Sequence, residues 1–337
     1  MQKRLGILAL LLTAICLSPA RAQESAPGKK PTAEQVADGV WATTPSNGAN
    51  VGWFLLGDGV VAVDSGGDTK SGKEILDLIA QTTGNKPVRA LILTHVHGDH
   101  LGGARAFAAA GARIICHESV NGVVLAYLQQ ASSDPADPLA GKTSVKPVIE
   151  SISEREILVD GIHNIQVYHL GPAHTKGDLV IYLPTEKVLF SGDVALNSLY
   201  PYMQSPDMDP IGWERVLTAM RRVDPQKLVP GHGPIGPTSG VDDTLSYIQR
   251  TVTLAKKIVD NGIRDENIEA EIRAPENAIT RVTLTDNHIA NVKAVVKNLR
   301  ERAQKKPTPD PGAAPAGAAP PPPARARTPV AVTPRKP

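Results

Sequence analysis

Residues 94–103 read Thr-His-Val-His-Gly-Asp-His-Leu-Gly-Gly. His95, His97, Asp99 and His100 crowd into six positions of this run. Packing alone does not call for such density, because imidazoles and carboxylates are costly to bury without partners. At alternating and adjacent spacing, these four side chains can aim at two neighbouring points. The run therefore reads as part of a two-metal site. It starts directly after Arg89–Leu93, an apolar stretch of strand length, so the ligands sit on a loop that leaves a strand.

Three further segments place a candidate ligand just after an apolar strand. His174 lies in Leu170-Gly171-Pro172-Ala173-His174-Thr175, behind Ile165–His169. Asp193 ends Phe190-Ser191-Gly192-Asp193, behind Val188–Phe190. His232 lies in Val229-Pro230-Gly231-His232-Gly233, behind Lys227–Leu228. Strand ends gather on one edge of a sheet, where loops can vary without harm to the core.

The apolar periodicity orders the rest of the body, which runs from about residue 34 to 304. Strands are expected at Val40–Thr43, Val51–Leu56 and Val60–Val63, the last two joined by the hairpin signal Gly57-Asp58-Gly59. Helical spacing follows over Ser71–Ala80, Leu101–Ala110 and Val120–Gln130, with a strand at Ala112–Cys116 between the last two. Residues 132–147 read as a loop. Strands are expected at Val145–Ile149, Ile157–Val159, Ile165–His169, Leu179–Leu183, Val188–Phe190 and Lys227–Val229. Asp209 and Pro210 form an N-cap and first-turn signal for a helix to Arg222. Two more helices are expected over Asp242–Asp260 and Asn287–Arg302. This order fits an α/β (α+β) fold in which two mixed sheets pack face to face with helices on the outer faces.

With these residues in place, the chain resembles the metallo-β-lactamase superfamily. The matching segments are His95-x-His97-x-Asp99-His100, Ala-His174-Thr-x-Gly-Asp, Ser-Gly-Asp193 and Pro-Gly-His232-Gly, in the family's order, over about residues 35–260. The resemblance implies an αβ/βα sandwich and two zinc ions per chain. It implies that His95, His97 and His174 hold the first metal, that Asp99, His100 and His232 hold the second, and that Asp193 bridges them. It also implies a catalytic part for Asp99, which would orient the nucleophilic water. Neutral imidazole and carboxylate suit zinc, and also iron or manganese. Two divalent ions about 3.5–4 Å apart can share a water and lower its pKa toward 7. Asp64, before Ser65-Gly66-Gly67, matches an early family segment and is expected to support ligands rather than bind metal. Gly102 and Gly103 are expected to permit tight packing beside the metals.

The pattern narrows the chemistry without choosing a substrate. Zinc β-lactamases of the cysteine type carry Cys where this chain has Asp193, and a Lys where it has Leu196. Glyoxalase-like thioesterases share Asp193, but their Gly-Cys-Gly-Arg run is replaced here by Val194-Ala195-Leu196-Asn197. The expectation is hydrolysis of a small-molecule ester, thioester, lactone or lactam. A β-lactamase is the nearest alternative. A di-iron redox protein or a non-enzymatic envelope-binding module is the alternative of a different class. Substrate contacts are expected from Trp53, the Asn47–Asn50 loop, and the Asn197–Met208 loop with Asn197, Tyr200 and Tyr202; Trp213 is expected in the core.

Both ends of the chain read as additions to this body. Lys3 and Arg4 precede an apolar run from Leu5 to Leu17, and Ala20-Arg21-Ala22 offers a small-x-small cleavage signal. Residues 1–22 are thus a secretory signal peptide, removed before Gln23, and the protein is expected in the periplasm or outside the cell. Residues 23–33 read as a flexible leader. Residues 305–337 hold eleven prolines and no aromatic residue. A segment of that kind cannot bury enough apolar area to offset its ordering entropy, so a disordered tail is expected. That tail carries six basic residues and one acid, and the rest of the mature chain is mildly acidic. The tail could touch an anionic envelope surface weakly, and the acidic body argues against nucleic acid. Cleavage would leave Cys116 as the sole thiol, expected to be buried and structural.

Overall fold

The computed structural model describes residues 30–132, 137–140, 148–159, 164–274 and 286–304. The expected signal peptide, most of the leader, the tail, and much of the expected 145–149 strand lie outside the described residues.

The first half comprises β1 (Glu34–Ala37), β2 (Val40–Thr43), β3 (Val51–Leu56), β4 (Gly59–Val63), α1 (Thr69–Thr83), β5 (Val88–Ile92), α2 (Gly98–Leu101), α3 (Ala104–Ala109), β6 (Arg113–His117), α4 (Asn121–Gln129) and β7 (Ile149–Ile152). The second comprises β8 (Arg155–Val159), β9 (Asn164–Tyr168), β10 (Val180–Leu183), β11 (Val188–Gly192), α5 (Pro210–Met220), β12 (Lys227–Pro230), α6 (Ser239–Asp260), α7 (Ile268–Arg273) and α8 (Asp286–Gln304). One seven-stranded sheet runs β1-β2-β3-β4-β5-β6-β7, antiparallel to β4 and parallel from there on. One five-stranded sheet runs β12-β11-β10-β9-β8, antiparallel except for the β11–β12 pair.

Strand alternation makes a four-layer sandwich from these sheets. On β3 and β4, Val51, Trp53, Val60 and Ala62 face an outer cluster with α1, while Phe54, Val61 and Val63 face the middle. On β10, Ile181 and Leu183 face the middle, and Val180 and Tyr182 face the helices of the second half. Such strands are apolar on both faces because each sheet is covered on both sides. Phe54 and Phe190 meet across the central layer with ring centroids 6.1 Å apart. Each such buried side chain contributes about 1.5–3 kcal/mol relative to exposure.

Local signals set several boundaries. Asp209 caps α5, accepting from the Ile211 and Gly212 amides, with Pro210 in the first turn as expected. The helix expected over 101–110 instead begins at Gly98 and divides into α2 and α3. A Cβ on Gly103 would lie 1.9 Å from the Ser65 carbonyl oxygen, so only glycine lets this turn press against the loop after β4. The short β1 and α7 were not expected, since neither offers more than one turn or two alternations of pattern. Cys116 is buried as expected; burial pushes its thiol up to about 12.

Candidate metal centre

All seven expected ligands converge on one edge of the sandwich, where strands of both sheets end. His95 and His97 follow β5, and Asp99 and His100 lie in α2. His174 comes from the β9–β10 loop, Asp193 follows β11, and His232 follows β12.

Three nitrogens form one group. His95 Nε2 lies 3.1 Å from His97 Nδ1, which lies 3.0 Å from His174 Nε2. Asp99, His100 and His232 form a second, with Asp99 Oδ2 2.9 Å from His232 Nε2 and 3.9 Å from His100 Nε2. Asp193 stands between the groups. Its Oδ1 is 3.4 Å from His100 Nε2 and 3.6 Å from His232 Nε2, and its Oδ2 is 3.6 Å from His174 Nε2. Each group thus draws donors from both halves of the fold, and one carboxylate faces both.

The surrounding hydrogen bonds fix which imidazole nitrogen points inward. His100 Nδ1 donates to Asp64 Oδ2 at 2.8 Å, leaving Nε2 for the centre. Asp64 also accepts from the Thr94 amide and hydroxyl, each at 2.8 Å. The Thr94 hydroxyl, its proton committed to Asp64, can accept from His95 Nδ1 at 3.2 Å. One carboxylate therefore orients a histidine of each group. Asp64 does so from a left-handed backbone (φ 62°). His174 Nδ1 donates to the Tyr202 carbonyl at 3.1 Å, and His97 Nε2 donates to Ser205 Oγ at 3.0 Å. Partners of this kind fix tautomer and ring orientation at metal-ligating histidines.

Two buried atoms of the cluster, His100 Nε2 and Asp193 Oδ1, have no hydrogen-bond partner. Leaving such groups unsatisfied costs roughly 1–3 kcal/mol each. A divalent cation between them would satisfy both, so the donor set fits a metal pair of the zinc class. A Cβ on Gly231 would lie 2.0 Å from Asp193 Oδ1, so only glycine leaves that oxygen clear.

The two groups differ in charge. Burial lowers His95, and its histidine neighbours add to the shift. Burial likewise lowers His97 and brings His174 down to about 4, against the pull of Asp193. Burial also opposes a charge on His100, but Asp64, Asp193 and Asp99 outweigh it and hold this imidazole well above its usual range. Asp193 and Asp99 raise His232 in the same way. Burial works against ionised Asp99 too, yet His100 and His232 bring it to about 2.

At neutral pH, then, the first group presents free lone pairs, whereas a metal at the second must displace the proton that the carboxylates hold on His100. Zinc affinity at the second group should fall steeply as pH drops from 8 to 6, and affinity at the first should change little. Calorimetric titration in buffers of different ionisation enthalpy measures the protons released per ion. Equal release at both sites would contradict this asymmetry.

The expected substrate contacts fare differently. Trp53 is corrected: its side chain is fully buried against α1, and its indole N–H donates to Thr82 Oγ1, so it is a core residue. Asn197 is corrected as well. It is buried, and its amide nitrogen donates to the Pro234 and Pro237 carbonyls, bracing the loop after His232. The Asn47–Asn50 loop is likewise committed: Ala49 N donates to the Asp99 carbonyl and Asn50 to the Pro230 and Gly233 carbonyls. Tyr202 contributes its backbone carbonyl to His174, and Tyr200 is 41% exposed with its ring stacked on Tyr247. Trp213 is core as expected and donates its indole N–H to the Val194 carbonyl. Ser205 and Thr94 were missed; neither has a spacing or composition that marks it.

Residues 47–232 match the family model for the metallo-beta-lactamase superfamily, more than half of the chain. Among curated relatives, the chain is 28% identical over 202 residues to 2,4-dinitroanisole O-demethylase subunit alpha of Nocardioides sp. (strain JS1661), covering 60% of this chain and 57% of that one. It is 24% identical over 243 residues to linear primary-alkylsulfatase of Pseudomonas sp. (strain ATCC 19151), covering 61% and 45%. The chain thus spans about half the length of these two relatives. Among solved structures, a metallo-beta-lactamase from Pontibacter korlensis superposes with a TM-score of 0.53 at 23% identity, covering 65% of this chain and 99% of that one. That likeness concerns the fold.

Proposed function

The chain belongs to the metallo-beta-lactamase superfamily, whose members are metal-dependent hydrolases, and we propose that it is an exported dinuclear zinc hydrolase acting on a small ester, thioester, lactone or lactam. The observation that carries the reading is Asp193, one carboxylate whose oxygens face two separate donor groups, with Oδ1 and His100 Nε2 buried and unsatisfied. Two divalent ions supply Lewis acidity toward a carbonyl and acidify water near neutral pH.

The chain's own residues would do the rest. His95 and His174 are almost fully buried, so they hold position rather than meet substrate. His97, Asp99 and His232 are partly exposed, which gives the centre one open side. Asp99 is the partly exposed carboxylate there, and at about 2 it is ionised at any working pH. It is therefore suited to accept a hydrogen bond from the attacking water and so orient it, whereas a carboxylate held this low is a weak base for the water's proton. Asp64, Tyr202 and Ser205 keep the ligating nitrogens aimed inward while charge redistributes.

Export rests on the apolar run and cleavage signal in residues 1–22, and the basic tail would add a weak contact with an anionic envelope. The reading is tested by metal analysis of natively purified mature protein together with a panel of esters, thioesters, lactones and β-lactams. Two zinc ions per chain and hydrolysis of one class, abolished by chelation and restored by zinc, are expected. Protein that carries no metal and stays inactive when zinc, iron or manganese is supplied would overturn it.

A further inference from the structure

The loop from Pro201 to Asp209 touches the first donor group twice, through the Tyr202 carbonyl on His174 and the Ser205 hydroxyl on His97. It has no regular secondary structure of its own, and Pro201 brings no backbone N–H. The β9–β10 loop holds its far end, where the Asp209 amide donates to the Ala173 carbonyl and Asp207 accepts from the Lys176 amide, and the rest is gripped by α8, a helix beyond the residues that match the family model.

Three side chains of α8 grip the loop. Asn291 Oδ1 accepts from the Met203 amide at 3.0 Å, and its Nδ2 donates to the Pro201 carbonyl at 2.8 Å. Asn298 Nδ2 donates to the Met208 carbonyl at 3.1 Å, and Arg302 pairs with Asp209 at 2.8 Å. Positions 291, 298 and 302 are seven and four apart, so they share one helix face. Asn291 matters most, because its two bonds fall on either side of Tyr202 and so fix where the Tyr202 carbonyl points. The amide is 1% exposed, and all its bonding capacity is used, with Tyr247 Oη at 3.0 Å and Gln204 Nε2 at 3.3 Å as its other partners. Burying a fully bonded amide in an apolar core adds little net stability but fixes geometry firmly.

We propose that Asn291 is a positioning residue for the first metal: it clamps Tyr202 so that the Tyr202 carbonyl holds His174 in its ligating orientation. The proposal rests on the metal-hydrolase reading. Asn291→Leu keeps the bulk and removes every hydrogen bond of the amide. Asn291→Asp keeps the acceptor for Met203 and loses the donor to Pro201. Val292→Ala, at a fully buried apolar neighbour on α8, controls for loss of packing.

Zinc affinity of the metal-free proteins is read by chelator competition, and exchange of the Met203 amide is read without metal. Asn291→Leu should weaken the first site by about 10–100-fold, the usual effect of removing a ligand's supporting contact. It should also speed Met203 exchange, and Asn291→Asp should fall between it and wild type. Val292→Ala should lower thermal stability with zinc affinity unchanged. Wild-type affinity in Asn291→Leu, or equal weakening in Val292→Ala, would overturn the proposal. Should Asn291→Leu fail to fold, wild-type affinity in Asn291→Asp would overturn it equally. A wild-type protein that binds neither zinc, iron nor manganese would overturn the hydrolase reading instead.

Discussion

Asp193→Ala is expected to yield folded protein that binds at most one zinc ion tightly and hydrolyses substrate at least about 100-fold more slowly, since losing even a ligand's supporting contact costs about 10–100-fold. The loss follows from geometry. Each oxygen of this carboxylate lies 3.4–3.6 Å from an inward nitrogen, one facing His100 and His232 and the other His174. No other carboxylate of the cluster stands between the two groups: Asp64 is committed to His100 Nδ1 and Thr94, and Asp99 faces His232. Although burial disfavours its charge, His232 and His100 hold Asp193 well below the carboxylate range, so it is ionised throughout the working pH. Asp193→Asn should therefore fail almost as badly, with a defect that does not vary between pH 6 and 9. Metal content by mass spectrometry and turnover at saturating zinc measure both. Full activity with two bound ions in Asp193→Ala would remove the bridging role.

Arg105→Ala should leave metal binding intact and lower stability by about 3–5 kcal/mol, the cost of leaving half of a buried ion pair. At about 2–4 °C per kcal/mol for a domain of this size, the melting temperature should drop by roughly 6–20 °C. Arg105 lies in α3 and is 5% exposed. Its Nε donates to Asp137 Oδ2 at 2.6 Å. Its Nη1 donates to the carbonyls of Tyr127, Leu128 and Gln130 at 3.0, 2.8 and 3.0 Å, closing the C-terminal end of α4. Truncation thus removes the cation from a buried carboxylate, which keeps the Leu139 amide, and a donor from three carbonyls together. Arg105→Lys should recover only part of the loss, since an ammonium cannot reproduce the planar fork. Thermal unfolding monitored by circular dichroism reads the effect, and a drop below 2 °C would show that the pair carries little.

Most expected strands of the central layers coincide with observed ones because their residues are apolar on both faces and bounded by glycine, proline or charge, whereas the strand expected at Val145–Ile149 instead runs Ile149–Ile152. Val51–Leu56 is an example, ending at Gly57-Asp58-Gly59. The ligands were legible for a related reason: metal chemistry demands rare residue types, and His95, His97, Asp99 and His100 stand out against any background. Contacts that act through backbone atoms left no such trace. The carbonyl of Tyr202 is chemically the same as any other, so the sequence shows its ring and hides its function. Trp53 misled for the converse reason. An aromatic near a functional loop resembles a substrate contact, but its place on β3 points it under α1. The pairing of Arg105 with Asp137, 32 residues apart, depends on tertiary placement that local periodicity does not encode.

Each donor group takes ligands from both sheets, and this has a consequence for assembly. An ion that binds only the closed arrangement acts as a rivet across the seam between two halves that are distant along the chain. Its contribution is set by supply: at a free concentration 100-fold above its dissociation constant, it adds about 2.7 kcal/mol to the folded state. Metal scarcity would then be felt as a loosened joint between the halves, and the protein's lifetime would follow the metal content of its surroundings.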